Sequence, residues 1–130
     1  MSTLVCETIT NGTNSVSVEG ASNGTANAWV VFSGANPGTL TDSFNVSSIT
    51  DNGPGDFSVN MTNALPNNRY AVSMSTESSS LSFTLMGKNS NLANRGTSVY
   101  RFQCVYHNPT TGVAVNLDGG LHNVVFFASA

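Results

Sequence analysis

The stretch Asp56-Phe57-Ser58-Val59-Asn60-Met61-Thr62 decides the fold class. Phe57, Val59 and Met61 alternate with Ser58, Asn60 and Thr62, a period of two that turns one set toward a core and the other toward water. Directly before it stands Asp51-Asn52-Gly53-Pro54-Gly55. Asn-Gly tolerates the positive φ of a tight turn, and Pro54 cannot donate to a strand ladder. Together these predict a hairpin. In its first strand Phe44 and Val46 keep step but Ile49 breaks it, so a bulge is expected between Ser47 and Ser48.

The same alternation recurs outward along the chain. Tyr70, Val72 and Met74 carry it, then Leu81, Phe83 and Leu85, then Val113, Val115 and Leu117. Three stretches are more continuously apolar, 28–32, 99–106 and 124–128, and read as central strands covered on both faces. Leu65-Pro66-Asn67-Asn68, Asn108-Pro109-Thr110-Thr111-Gly112 and Asp118-Gly119-Gly120 mark loops. No segment has convincing 3.6-residue periodicity, with room for one helical turn around 89–95. The pattern predicts an all-β chain: an antiparallel β-sandwich, jelly-roll-like, of about eight to ten short strands. Residues 1–25 read as an N-terminal arm or docking segment and 26–130 as the sandwich domain. The expected core residues are Trp29, Phe44, Phe57, Val59, Tyr70, Val72, Phe83 and Phe102.

Composition excludes several classes. Ser, Thr, Asn and Gly fill 61 of 130 positions, and only 8% of residues are charged, against roughly 25% in typical domains. Long helices and coiled coils need far more Ala, Glu, Lys and Leu. The net charge is −3, and Arg69, Lys88, Arg95 and Arg101 are scattered singly, so the basic stripe that nucleic-acid binding requires is missing. No apolar run approaches the ~20 residues of a membrane helix. The first residues lack the basic start and apolar block of a signal peptide. The expectation is therefore no nucleic acid, no membrane, and synthesis in a cytoplasm. In such a compartment a Cys6–Cys104 disulfide is the minority reading.

The search for chemistry is mostly negative. His107 and His122 both flank loops and show no ligand spacing for zinc, so surface loop histidines are expected. The loop from Asp51 to Asp56 lacks the alternating acids of a calcium loop. No nucleophile elbow of the Gly-x-Ser-x-Gly kind is present. No enzyme, no metal and no cofactor are expected. Trp29, Tyr100 and Tyr106 are candidate contacts for a glycan or a neighbouring subunit, because aromatic rings stack on sugars. Tyr100, Phe102, Cys104 and Tyr106 nevertheless share one strand face, which points to core or subunit interface. The scarcity of charge suits subunits that pack side by side, since desolvating unpaired charge is costly.

The runs Ala28-Trp29-Val30-Val31-Phe32-Ser33-Gly34 and 42–53, continuing through 55–62, Ala64-Leu65-Pro66-Asn67 and Tyr70-Ala71-Val72, resemble a family of small virion proteins of tailed bacteriophages, especially marine and cyanobacterial ones. Leu4-Val5-Cys6-Glu7-Thr8-Ile9 and Asn11-Gly12 look like the short leader preceding this module. The resemblance implies a structural role in the virion, without a catalytic motif to carry over. A capsid decoration (cement) protein, a homotrimer bracing the major capsid protein, is the favoured placement. A tail-fibre or head-fibre module touching host glycan or receptor is the alternative, and a free-standing carbohydrate-binding module is a third. Leu4, Val5 and Ile9 of the arm are the expected contacts with capsid or neighbouring subunit.

Overall fold

The computed structural model describes residues 5–10, 12–13, 15–17, 24–77, 86–88 and 95–129, with backbone alone at 15–17 and 86–88. Among them are eleven strands, slightly more than expected: β1 (Thr8–Thr10), β2 (Ser15–Ser17), β3 (Ala28–Ser33), β4 (Leu40–Phe44), β5 (Val46–Gly53), β6 (Asp56–Met61), β7 (Ala71–Thr76), β8 (Met86–Lys88), β9 (Val99–His107), β10 (Ala114–Asn116) and β11 (Leu121–Phe127). The chain folds as an all-β sandwich of two antiparallel sheets. One has the order β4-β3-β11-β7; the other runs β10-β9-β6-β5, with β8 also on β9. The chain crosses between sheets from β4 to β5, β6 to β7, β7 to β8 and β10 to β11. β1 and β2 pair with each other in a separate two-stranded sheet.

The three continuously apolar stretches become β3, β9 and β11, each with neighbours on both edges. β9 is the organiser of its sheet. Gln103 pairs with both Asp56 and Lys88, and Val105 with both Asn116 and Met86. β6 and β10 therefore lie end to end along one edge of β9, and β8 takes the other. The hairpin β5–β6 forms at Pro54-Gly55, and its register slips between Val46 and Ser48, where the bulge is expected. That slip is why Val46 and Ile49, three residues apart, both face inward.

Side-chain alternation then builds the core. Ala28, Val30 and Phe32 from β3 and His122, Val124 and Phe126 from β11 face Phe57, Val59 and Met61 from β6 and Tyr100, Phe102 and Cys104 from β9. The rings meet largely edge to face: Phe32–Phe57 centroids are 5.3 Å apart, Tyr70–Phe126 5.6 Å and Tyr100–Phe126 5.3 Å. This is the arrangement that ring quadrupoles favour. Tyr70 keeps its polar end satisfied by donating to the Gly96 carbonyl at 3.0 Å. Phe57, Val59, Tyr70 and Phe102 are core residues as expected, Val72 packs on the core half-buried, and Phe83 lies outside the described residues.

Two expected core residues are not in it. In 28–32 either set of alternate residues is apolar enough to face inward, and the pairing with β11 selects Ala28, Val30 and Phe32. Trp29 is thereby turned to the opposite face, half-buried. Phe44, its partner across β4–β3, goes with it and is 54% exposed. His122 moves the other way. It is fully buried inside β11 rather than at a surface loop. Tyr100, a candidate surface contact, is 2% exposed and belongs to the core, while Tyr106 packs half-buried against it.

Two residues fix the corners. Asn45 has φ 55°, a left-handed conformation that Asn tolerates better than most side chains. It turns the chain from one sheet to the other. Gly34 leaves room where a Cβ would stand 1.5 Å from the Asp118 carbonyl oxygen and 2.6 Å from His122 Nε2.

Candidate functional site

The two outward faces of the sandwich differ in chemistry. On β5, β6 and β9 the outward side chains bond to one another. Arg101 donates two bonds to Asp56, both 2.8 Å, and Gln103 adds a third at 3.2 Å. Asn52 donates to Ser58 at 2.9 Å, and Asn60 to Thr50 and Ser48. The Arg101 guanidinium holds the Asp56 carboxyl below its ordinary value, against an opposing effect of burial. Apart from Val99, 41% exposed where β9 begins, this face is occupied by its own hydrogen bonds.

The outward face of the other sheet carries an apolar strip, with the exposed Asp42 beside it opposite Val31. Phe44, Trp29 and Val125 follow one another across β4, β3 and β11, directly opposed residues that share one side of a sheet. Val31 lies two residues along β3 and Phe127 two along β11, the latter 38% exposed. Ser73, Ser75 and Asn123 continue the same face toward β7. An exposed Phe44 beside a half-buried Trp29, with Phe127 exposed further along, groups apolar surface on one sheet face rather than scattering it singly.

At the end of this strip the chain turns through Asn45, and an open depression of about 360 Å³ is lined by Phe44, Asn45, Thr62 and Asn63. Its polar wall is rigid. Asn45 Nδ2 donates to the Asn27 and Asn63 carbonyls at 3.0 and 3.1 Å. Asn45 Oδ1 accepts from the Asn63 amide at 2.8 Å, and the Asn45 carbonyl accepts from the Thr62 amide at 3.0 Å.

Of the arm residues, Val5 is 89% and Ile9 61% exposed; Leu4 lies outside the described residues. The arm also carries the exposed Cys6, whose thiol donates to the Thr8 carbonyl at 2.7 Å. Cys6 and Cys104 are both free thiols.

His122, Thr76 and Cys104 gather inside the sandwich. The His122 Nε2–H donates to the Asp118 carbonyl at 2.6 Å, which leaves Nδ1 to accept from the Thr76 hydroxyl at 3.0 Å. The ring stacks on Phe32 with centroids 5.0 Å apart and tilts against Phe57 at 5.1 Å. Burial drives the His122 pKa below its ordinary value, and the contacts with Asp118 only partly offset this. Burial likewise pushes the Cys104 thiol up. The imidazole is neutral and the thiol protonated, both closed off from solvent, so this cluster is a structural fastening. Among the described residues no three His, Cys, Asp or Glu side chains converge to hold a metal, and no helix is long and apolar enough to cross a membrane.

No family model, curated protein or solved structure matches the chain. The site therefore stands on its own geometry. Sequence reasoning named Trp29 for surface contact but overlooked Phe44, Asn45, Thr62 and Asn63. Their only signal was the short spacing from an aromatic to a turn-forming Asn.

Proposed function

We propose that the protein is a structural component of a tailed-bacteriophage virion, a decoration protein that braces the head lattice as a homotrimer and catalyses no reaction. The observation that carries this reading is the contrast between the two sheet faces. One is closed by its own hydrogen bonds, and the other presents Phe44, Trp29, Val125 and Phe127 outward. The exposed Val5 and Ile9 on the N-terminal segment add a second attachment element. The resemblance of the runs from Ala28 to Val72 to small virion proteins supports the placement. Burying such apolar surface against a neighbour stabilises by about 25 cal/mol per Å², and the one carboxylate beside the strip, the exposed Asp42 opposite Val31, can stay at its solvated edge, where it costs little.

The test is co-sedimentation of the purified protein with capsids assembled without it. Binding that saturates at lattice stoichiometry, and is lost in Val5→Ser/Ile9→Ser and in Phe44→Ser, is the expected result. Failure to co-sediment overturns the reading. A tail-fibre or head-fibre module is the second reading, and the depression beside Phe44 favours it, because an open, preformed hollow suits a ligand better than a flat lattice contact.

A further inference from the structure

The depression at the β4–β5 corner has two unlike walls. One is the Phe44 ring, 54% exposed although it is the largest side chain on its strand. The other is the polar ledge of Asn45, Thr62 and Asn63. Asn45 spends its side-chain amide on holding the ledge in place. The Thr62 hydroxyl has no partner among the described residues. Asn63 uses its side-chain nitrogen, donating to Asn45 Oδ1 at 3.3 Å, and leaves its side-chain oxygen open.

The lining contains no charge, and the nearest ionised group along the chain, Asp42, shares the outward face of β4 with Phe44. An anionic ligand would be repelled there. A wholly apolar ligand would leave the Thr62 and Asn63 groups unpaired, at a cost. What fits is neutral, with an apolar C–H face for the ring and several hydroxyls for the ledge. The volume, about 360 Å³, is at the lower end of small-molecule sites, which span about 300–1,000 Å³. Because the ledge is already held by four hydrogen bonds through Asn45, little ordering cost remains to be met on binding.

We propose that this depression is a saccharide subsite. The Phe44 ring stacks against the C–H face of a neutral hexose, the Thr62 hydroxyl exchanges a hydrogen bond with one sugar hydroxyl, and the Asn63 side-chain carbonyl accepts from another. The inference rests on the second reading above, since a lattice contact through Phe44 would cover the hollow, and it replaces Trp29, Tyr100 and Tyr106 with Phe44 as the stacking residue.

The experiment is a 1H–15N NMR titration of the full chain with the methyl glycosides of glucose, galactose and mannose, N-acetylglucosamine, and their homodisaccharides. At least one sugar is expected to shift the amides of Phe44, Asn45, Thr62 and Asn63 selectively. Phe44→Ala should abolish these shifts and Phe44→Tyr should retain them. Thr62→Val, which replaces the hydroxyl with a methyl of similar size, should weaken binding several-fold. Each variant's otherwise unchanged spectrum shows that it is folded. If no sugar in the panel moves those amides, if the shifts fall elsewhere, or if Phe44→Ala binds like the parent, the subsite does not exist. That failure leaves the capsid co-sedimentation test untouched, so the two proposals fall separately.

Discussion

Phe44 stands directly opposite Trp29 across the β4–β3 pair, on the side of the sheet turned away from the core. This pairing concentrates aromatic surface where a folded monomer gains least from it. Cross-strand aromatic pairs contribute about 0.2–1 kcal/mol, far less than a buried ring. Phe44→Ser is therefore expected to cost no more than about 1 kcal/mol of stability while removing the proposed capsid attachment. Urea denaturation read beside co-sedimentation checks both halves; a large stability loss would mean that Phe44 is structural.

Phe102 occupies the opposite situation. It lies across from Phe57 in β6–β9, with ring centroids 5.8 Å apart, and also meets Phe32 and Tyr100. Phe102→Ala should destabilise by about 3–5 kcal/mol in equilibrium urea unfolding. A loss below about 1 kcal/mol would contradict the packing described.

His122 makes stability depend on pH. Its pKa is lowered in the folded state from the ordinary 6.5, so below that pH the unfolded chain binds a proton that the native protein does not. Stability then rises with pH in this window. The contribution is complete above about pH 6.5 and is lost as pH falls toward the folded value. Asp56, lowered from 3.8 by Arg101, adds a separate loss at more acid pH. Urea midpoints between pH 8 and 5 should fall on acidification in the parent protein and fall less in His122→Gln. A parent midpoint that rises on acidification through this window would refute the buried neutral imidazole.

Gly34 and Asn45 test backbone geometry. In Gly34→Ala the new methyl would collide with the Asp118 carbonyl that His122 uses, and overpacking of this kind costs about 1–3 kcal/mol. At Asn45, φ 55° penalises alanine but not glycine. Both Asn45→Ala and Asn45→Gly lose the side-chain bonds to Asn27 and Asn63, so alanine should be worse by about 1–2 kcal/mol. Equal losses would mean that the corner relaxes.

Much of the architecture is legible in the sequence. Continuous apolar runs identified β3, β9 and β11 as central in their sheets, but the cover expected on their second face is not there for β3 and β11, whose outward Trp29, Val31, Val125 and Phe127 stay partly open to solvent. Asn52-Gly53-Pro54-Gly55 announced the β5–β6 hairpin, and the misplaced Ile49 announced its bulge. The facing of Trp29 was not readable. Where both sets of alternate residues are apolar, periodicity cannot say which is inward, and the choice is made by pairing with β11, ninety residues along the chain. His122 looked like a loop residue beside Gly119-Gly120 because its burial depends on the space left at the distant Gly34. The depression was invisible for a similar reason, since it joins the end of β4 to Thr62 and Asn63 through the conformation of one asparagine.

The central proposal is that this sandwich is a lattice component, and its most direct test is the protein's copy number in purified virions of a tailed phage whose genome carries it, by quantitative mass spectrometry against the major capsid protein. A ratio of the same order as the capsid subunits is the predicted result. A few copies per particle, or none, would contradict it.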